Sequence, residues 1–314
     1  MIEVKNLTKD YGPRRAIDNL NFSVAKGDVV GFLGPNGAGK STTMKIITGF
    51  MAPSTGSASV AGFDVFENPL EVKKRIGYLP EVPPVYTDMY VRDYLRYVAA
   101  LKQVPKEKIE KLVDQAIEKT NLGDVQKRLI HHLSKGFKQR VGIAQAIVSD
   151  PEVLILDEPT VGLDPKQVAE IRDLIKALKG QHTIILSTHI LPEVQATCEK
   201  IVIINKGKIV VQDSIQHLAM MEKGQNRLQV RLRKDVSDMK KVLSDINEAV
   251  GFHMGANPKE WRIDVQGGED AVDAISARLV TQGYGLLELS PTKLDLEDVF
   301  LKMTYGQDDN RGEA

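Results

Sequence analysis

The sequence predicts an α/β protein. A core on a mostly parallel sheet carries an antiparallel β subdomain and a helical subdomain, and a small C-terminal α+β domain follows. Three observations predict this. Gly34 to Ser41 reads GPNGAGKS, matching G-x-x-x-x-G-K-[ST] between an apolar strand pattern and a helical pattern. Val153-Leu154-Ile155-Leu156 is a continuous apolar run ending at Asp157, as expected of a parallel strand buried on both faces. From Asn226 the order strand, helix, strand, strand, helix, strand is the βαββαβ arrangement of ferredoxin-like domains.

At 314 residues the chain has room for one large domain and a smaller one. The expected division is a core over 1–224 with its helical subdomain at about 88–150, an accessory domain over 225–304, and a disordered tail over 305–314. Lys+Arg and Asp+Glu both total 42, so a balanced surface is expected and no nucleic-acid partner. The single cysteine, Cys198, excludes a disulfide framework and suits a reducing compartment; beside Ile201 to Ile204 it reads as a buried structural thiol. The start, MIEVKNLTKDYG, lacks a signal-peptide pattern, and no apolar run approaches the ~20 residues that span a bilayer. His131 and His132 are adjacent and lack metal-ligand spacing, so they read as loop residues.

Along the chain, Ile2, Val4, Ile17, Leu20, Phe22 and Val24 alternate with polar residues and predict short antiparallel strands around the Asp10-Tyr11-Gly12-Pro13 turn. The phosphate loop and its helix run to about Phe50. A further strand ends near Val60, and Lys73 to Leu79 is expected to form a strand entering the proline-rich Pro80 to Pro84. Helical spacing then covers Tyr94 to Leu101 and Ile109 to Ile117, the latter stopped by Gly123; a third helix runs from about Lys138 to Ser149. After the Val153 strand come a helix from Pro165 to Leu178, a strand from Thr183 to Ser187, and a hairpin across Asn205-Lys206-Gly207. Asp213-Ser214 caps a helix that Gly224 ends. The C-terminal domain is expected to place helices at Asp235–Ile246 and Asp270–Gln282, with a last short helix at Asp295–Met303.

The chemistry follows from residue types at these positions. Gly34, Gly37 and Gly39 permit backbone conformations closed to other residues and let phosphate approach. Pro35, Asn36, Ala38 and Thr42 complete the loop and helix start, where free N–H groups meet the anion. Lys40 would reach the β- and γ-phosphates, and the Ser41 hydroxyl would ligate Mg²⁺. A nucleoside triphosphate is the expected ligand. Asp157, at a strand's C-terminal end, is suited to hold Mg²⁺ directly or through water; Glu158 can orient or activate the attacking water.

Four stretches narrow the family. Leu133-Ser134-Lys135-Gly136-Phe137-Lys138-Gln139-Arg140, Leu156-Asp157-Glu158-Pro159-Thr160, Gly162-Leu163-Asp164-Pro165 and Ser187-Thr188-His189 occur in that order, and with the phosphate loop they resemble the ABC ATPases over residues 1 to about 215. The resemblance implies ATP and Mg²⁺ as cofactors and a head-to-tail pair, either a homodimer or a pairing with a related ATPase subunit. It implies that Ser134 and Gly136 of one subunit meet ATP held by the phosphate loop of the other, with Asp164 in the crossing loop. It also implies that Tyr11 stacks on adenine and that His189 is the switch histidine. Two positions depart from the family pattern: Lys135 and Phe137 replace a glycine and a glutamine, and Glu81 stands where a glutamine is usual, leaving a carboxylate that could ligate Mg²⁺ or water.

These variants look like the ATPase subunits of type-2 ABC exporters. Tyr78-Leu79-Pro80-Glu81, Tyr86 to Val91, and Leu296-Glu297-Asp298-Val299-Phe300 resemble the gliding-motility and auxiliary-export branch. The resemblance implies an integral membrane permease on a separate chain and a peripheral location on the cytoplasmic face of the membrane. The competing reading is a soluble ABC mechanoenzyme, but those usually carry two ATPase domains or a long coiled-coil insertion. A GTPase would need N-K-x-D, and Asn205-Lys206-Gly207-Lys208 lacks the aspartate.

Overall fold

In the computed structural model, which describes residues 1–221 and 225–292, the chain divides into two compact units, Met1–Ile215 and Gln216–Ala314. The first unit opens with a long hairpin, β1 (Ile2–Tyr11) and β2 (Arg14–Val24), turning at Gly12-Pro13. Its alternation buries Ile2, Val4, Leu7, Leu20, Phe22 and Val24 on one face. The strand β3 (Val29–Leu33), buried throughout, leads through the phosphate loop into α1 (Lys40–Ile47). The strands β4 (Thr55–Val60) and β5 (Phe63–Asp64) complete an antiparallel sheet of order β2-β1-β4-β5.

The expected strand from Lys73 is a correction. Lys73, Lys74 and Arg75 end a helix, α2 (Pro69–Arg75), and β6 starts only at Ile76 (Ile76–Leu79). Pro69 presets the first helical turn, Glu71 sits at its positive end and three cations sit at its negative end. Arg75 also reaches back to Glu71 at 2.7 Å, an i,i+4 pair.

Three helices follow: α3 (Val91–Leu101), α4 (Lys106–Lys119) and α5 (Lys135–Ile147). They pack on one another through Tyr94, Leu95, Val98, Val113, Ala116 and Ile117, all buried. Two ends differ from expectation. Thr120, whose hydroxyl donates to the Ala116 carbonyl at 2.6 Å, follows the last residue of α4, and Gly123 begins a separate single turn of 3₁₀ helix. Helix α5 begins at Lys135 because Ser134 caps it, its Oγ accepting from Phe137 N–H at 3.4 Å.

The chain then returns to the core sheet with β7 (Val153–Asp157), α6 (Pro165–Leu178), β8 (Thr183–Thr188), α7 (Leu191–Thr197), β9 (Lys200–Asn205), β10 (Lys208–Ser214) and α8 (Ile215–Met221). The six-stranded sheet has the order β10-β9-β3-β8-β7-β6, parallel except for β10 at its edge. A shared apolar core joins this sheet to the antiparallel one, with the Phe22 and Phe32 rings 5.5 Å apart.

The second unit contains β11 (Gln225–Leu232), α9 (Met239–Val242), β12 (Ala249–Met254), β13 (Glu260–Gln266), α10 (Glu269–Thr281) and β14 (Leu286–Thr292). Its sheet is antiparallel, of order β12-β13-β11-β14, over a core including Leu228, Val230, Trp261, Ile263 and Ile275. Helix α9 is shorter than the expected Asp235–Ile246, because Asp238 caps it, accepting from Lys241 N–H at 3.2 Å. Gly224, the expected helix Asp295–Met303 and the tail 305–314 lie outside the described residues. Among the described residues no helix is long and apolar enough to cross a membrane.

Candidate active site

The site begins with strand order. Leu33 of β3 lies opposite Thr188 of β8, and Asp157 of β7 lies opposite Ser187 of β8. The phosphate loop, the Asp157-Glu158 pair and His189 therefore leave neighbouring parallel strands at one edge, where ligands of open α/β sheets bind.

The loop is tightly enclosed from behind. A Cβ on Gly34 would lie 2.4 Å from the Ile204 carbonyl oxygen, and Gly39 adopts φ 112° at the start of α1. Lys40 is buried, its Nζ donating to the Gly34 carbonyl at 2.7 Å and the Pro35 carbonyl at 3.3 Å. The same Nζ is 3.5 Å from Glu158 Oε1.

In front of the loop is a cavity of about 570 Å³, within the ~300–1,000 Å³ usual for small-molecule sites. It gathers most of the residues singled out in the sequence: Tyr11, Asn36, Gly37, Gly39, Lys40, Ser41 and Thr42, then Glu81, Glu158 and His189. Gly34, Pro35 and Ala38 shape the loop without lining the cavity. Tyr11 is half-exposed, its hydroxyl donating to Met51 Sδ at 3.0 Å. Arg14, Ala16 and Val161 also line the cavity and escaped the sequence reading. Arg14 had a usable signal: the Gly12-Pro13 turn puts it opposite Tyr11 in the hairpin.

The carboxylates differ in their surroundings. Asp157 is buried and accepts from Ser187 Oγ at 2.7 Å. Burial holds its carboxyl above the ordinary range despite hydrogen bonds from Ser187 and Ser41, and the charges of Glu158 and Glu81 act in the same direction as burial. Glu158 is also buried; its two carboxylate oxygens lie 3.0 and 2.9 Å from His189 Nδ1, and its backbone adopts φ 49°. The Ser41 hydroxyl, the buried Asp157 carboxyl and the exposed Glu81 carboxylate offer hard oxygen donors with surplus negative charge, which fits Mg²⁺. Among the described residues no three or more His, Cys, Asp or Glu side chains form a metal cage, but Mg²⁺ held by one or two carboxylates and phosphate oxygens does not require one.

The raised Asp157 carboxyl makes a stability prediction. A carboxyl whose folded pKa exceeds its unfolded value stabilises the fold while protonated. That contribution is complete below the ordinary carboxylate range and is lost as pH rises through the folded pKa. At neutral pH Asp157 therefore costs stability when no cation is bound. Asp157→Asn is expected to raise the Tm of the nucleotide-free protein, each ~1 kcal/mol recovered appearing as about 2–4 °C. Calorimetry checks this: the gap from the parent should narrow as pH falls from neutral toward the ordinary carboxylate range, where the parent's Asp157 takes up its proton. A variant Tm at or below the parent's at neutral pH contradicts it.

Ser134, Gly136 and Asp164 do not line the cavity. Ser134 caps α5, and Asp164 caps α6, accepting from Gln167 N–H at 2.9 Å. A Cβ on Gly136 would lie 2.5 Å from Gln167 Oε1, and the Lys135 ammonium abuts Gly162. These two loops therefore meet within the chain. Elsewhere, Cys198 is buried and its thiol is pushed up to about 12 by burial, which makes it unreactive. His131 and His132 occupy a single 3₁₀ turn with ring centroids 3.9 Å apart, His131 Nδ1 lying 3.1 Å from the Thr87 carbonyl oxygen.

A parallel sheet whose glycine-rich loop encloses a buried lysine beside an acidic strand end defines a P-loop nucleoside triphosphatase. The ABC transporter family matches residues 17–161. The bacitracin transport ATP-binding protein BcrA of Bacillus licheniformis is 34% identical over 98% of this chain and 98% of its own length. The solved structure of an ATP-binding subunit of an ABC transporter superposes with TM-score 0.65 at 30% identity, covering 70% of this chain and 92% of the other. A solved dimeric bacterial ABC transporter cassette, MJ0796, superposes with TM-score 0.63 at 25% identity over 68% of this chain and 99% of the other. The chain belongs to the ABC transporter ATP-binding proteins and is the ATP-hydrolysing subunit of such a transporter.

Proposed function

We propose that the chain drives a separate integral membrane permease, at the cytoplasmic face of the membrane, by ATP-dependent closure of a head-to-tail dimer. The dimer reading is supported by the solved cassette MJ0796, which its title describes as dimeric. In this reading Tyr11 stacks on adenine and Gly34 to Thr42 hold the phosphates. Ser134 and Gly136, with the Asp164 loop, reach the ATP held by the partner subunit. The positions of Ser134 and Asp164 at helix N-termini support anion contact there. Glu158 orients the water that attacks the γ-phosphate in line, and His189 hydrogen-bonds Glu158 and faces the γ-phosphate oxygens. Ser41, Asp157 and Glu81 would hold Mg²⁺, directly or through water, and the ion would supply positive charge against the phosphates. Lys40 meets the same phosphates as a point charge. Loss of phosphate removes the ligand shared by the two subunits, and the dimer opens.

The observation that carries the permease reading is the surface next to Glu81. Glu81 lines the nucleotide cavity, and the loop it starts leads at once into Val82, 78% exposed. Tyr86, Tyr90 and Tyr97 are also exposed, with the Tyr86 and Tyr97 rings 5.5 Å apart. Exposed aromatic groups of this kind mark protein-binding sites. One short loop thus runs from the cavity to an exposed apolar surface, which supports docking of a permease there. Affinity purification from detergent-solubilised membranes of the native organism is expected to recover a polytopic membrane protein in stoichiometric amount. Tyr86→Asp with Tyr90→Asp should lose that partner while keeping ATPase activity within about twofold, since an interface anchor typically carries at least ~2 kcal/mol. Recovery with ribosomes, DNA or no partner would instead support a soluble mechanoenzyme.

Two finer readings belong here. Full-length similarity to the bacitracin transport protein supports export of a bacitracin-type antibiotic more strongly than the short gliding-motility and auxiliary-export resemblances do. The strand order of the second unit supports a ferredoxin-like domain within 225–304, acting in packing and dimerisation.

A further inference from the structure

Neither the phosphate loop nor the Asp157-Glu158 pair accounts for Glu193. It lies in the first turn of α7 and is 4% exposed. Among the described residues no basic side chain forms an ion pair with it; hydroxyls hold it instead. Thr160 Oγ1 donates to one carboxylate oxygen, and Thr188 Oγ1 donates to the other at 3.1 Å. Thr188 Oγ1 in turn accepts from Ile190 N–H at 3.1 Å. A buried carboxylate is costly unless satisfied in this way, so the arrangement is geometrically demanding.

The position of the two threonines matters. Thr160 is two residues beyond Glu158, and Thr188 immediately precedes His189. The β7–β8 pairing ends at Asp157 and Ser187, with one further backbone bond from Glu158 N–H to the Ser187 carbonyl at 2.8 Å. Beyond it the two exits are joined by side chains: Glu158 to His189 in the cavity, and Thr160 to Glu193 to Thr188 behind it. Glu158 sits at φ 49°, a left-handed conformation that is strained for a residue with a Cβ and needs support from its surroundings.

We propose that Glu193 is a positioning residue for hydrolysis. Its carboxylate clamps the Thr160 and Thr188 turns together, which holds the Glu158 backbone in its left-handed conformation and sets the Glu158–His189 separation. This rests on reading Glu158 and His189 as the hydrolytic groups. A clamp that works through geometry predicts a fall in kcat with nucleotide binding preserved, because misplacement by about 1 Å costs on the order of 10²-fold.

The test uses the full chain and compares Glu193→Ala, Glu193→Gln and Thr160→Val with Glu158→Gln. The expected result for Glu193→Ala is a fall in kcat of about 10–100-fold with ATP Kd within about twofold. Glu193→Gln, which can still bridge both hydroxyls, should recover most of kcat. Thr160→Val, isosteric but without the hydroxyl, should lower kcat alone; it decides the matter if Glu193→Ala does not fold. Parental kcat in folded Glu193→Ala or in Thr160→Val overturns the clamp. So does a joint fall of kcat, affinity and Tm that Glu193→Gln fails to rescue, since that is the mark of general destabilisation. If Glu158→Gln itself turns over normally, the hydrolytic reading fails instead, and the two failures stay distinct.

Discussion

Glu158→Gln is expected to bind ATP as well as the parent does and to lose about 10²–10⁴-fold in turnover, the usual range for removing a positioned general base. The carboxylate is nearly out of solvent, between the Lys40 ammonium at 3.5 Å and His189 Nδ1 at 2.9 Å. In the parent, the first of these contacts competes with phosphate for Lys40. The amide relaxes that competition, so nucleotide affinity should hold or tighten while the water loses its acceptor. ATP that is bound and not hydrolysed keeps both subunits engaged, so the variant should run as a dimer in size-exclusion chromatography with ATP and as a monomer without it. Single-turnover hydrolysis measures the first effect and the elution position the second. Parental turnover would remove Glu158 from the role given to it.

Lys40→Ala is expected to weaken ATP binding by at least about 10²-fold, since each charge-assisted hydrogen bond contributes roughly 1.5–3 kcal/mol and Lys40 would make such bonds to two phosphates. Calorimetric titration with Mg²⁺-ATP reads the loss directly. A second effect has to be separated from it. Lys40 and Glu158 are both buried, and removing one partner of a buried pair costs up to about 3–5 kcal/mol by stranding the other. His189 remains beside Glu158 and limits that cost. Combining Lys40→Ala with Glu158→Gln removes the stranded charge, so the double variant should regain Tm while its affinity stays low. Undiminished ATP binding by Lys40→Ala would contradict the phosphate-loop reading. Affinity restored along with Tm in the double variant would mean that the lysine acted through stability alone.

Much of this site was legible because its signals are local. The phosphate loop needs consecutive residues with special backbone freedom, and GPNGAGKS spells them out. Strand β7 shows as a solid apolar run because both its faces are covered, and α6 was readable from Pro165 to Leu178 because Asp164-Pro165 is a strong start signal. Helices α2 and α7 were missed for a related reason: each has seven residues, too few for periodicity to register, although each carries a proline in its first turn, where proline suits a helix start. The antiparallel sheet was foreseen as short strands, whereas β1 and β2 run to 10 and 11 residues.

By itself the sequence determined the ligand class, the order of the longer elements and most of the residues that line the cavity, since each depends on neighbours a few positions away in the chain. Only the tertiary structure decided how those residues combine. Strand β8 comes after β7 in the chain yet inserts between β3 and β7 in the sheet. That insertion sets Ser187 against Asp157, brings His189 to Glu158, and closes Thr160, Thr188 and Glu193 into one buried cluster. The fold also places Arg14 and Val161 on the cavity wall. The physical reason is that parallel pairing joins strands with no local turn between them, so register and neighbour come from burial of both sheet faces rather than from a signal in the intervening residues.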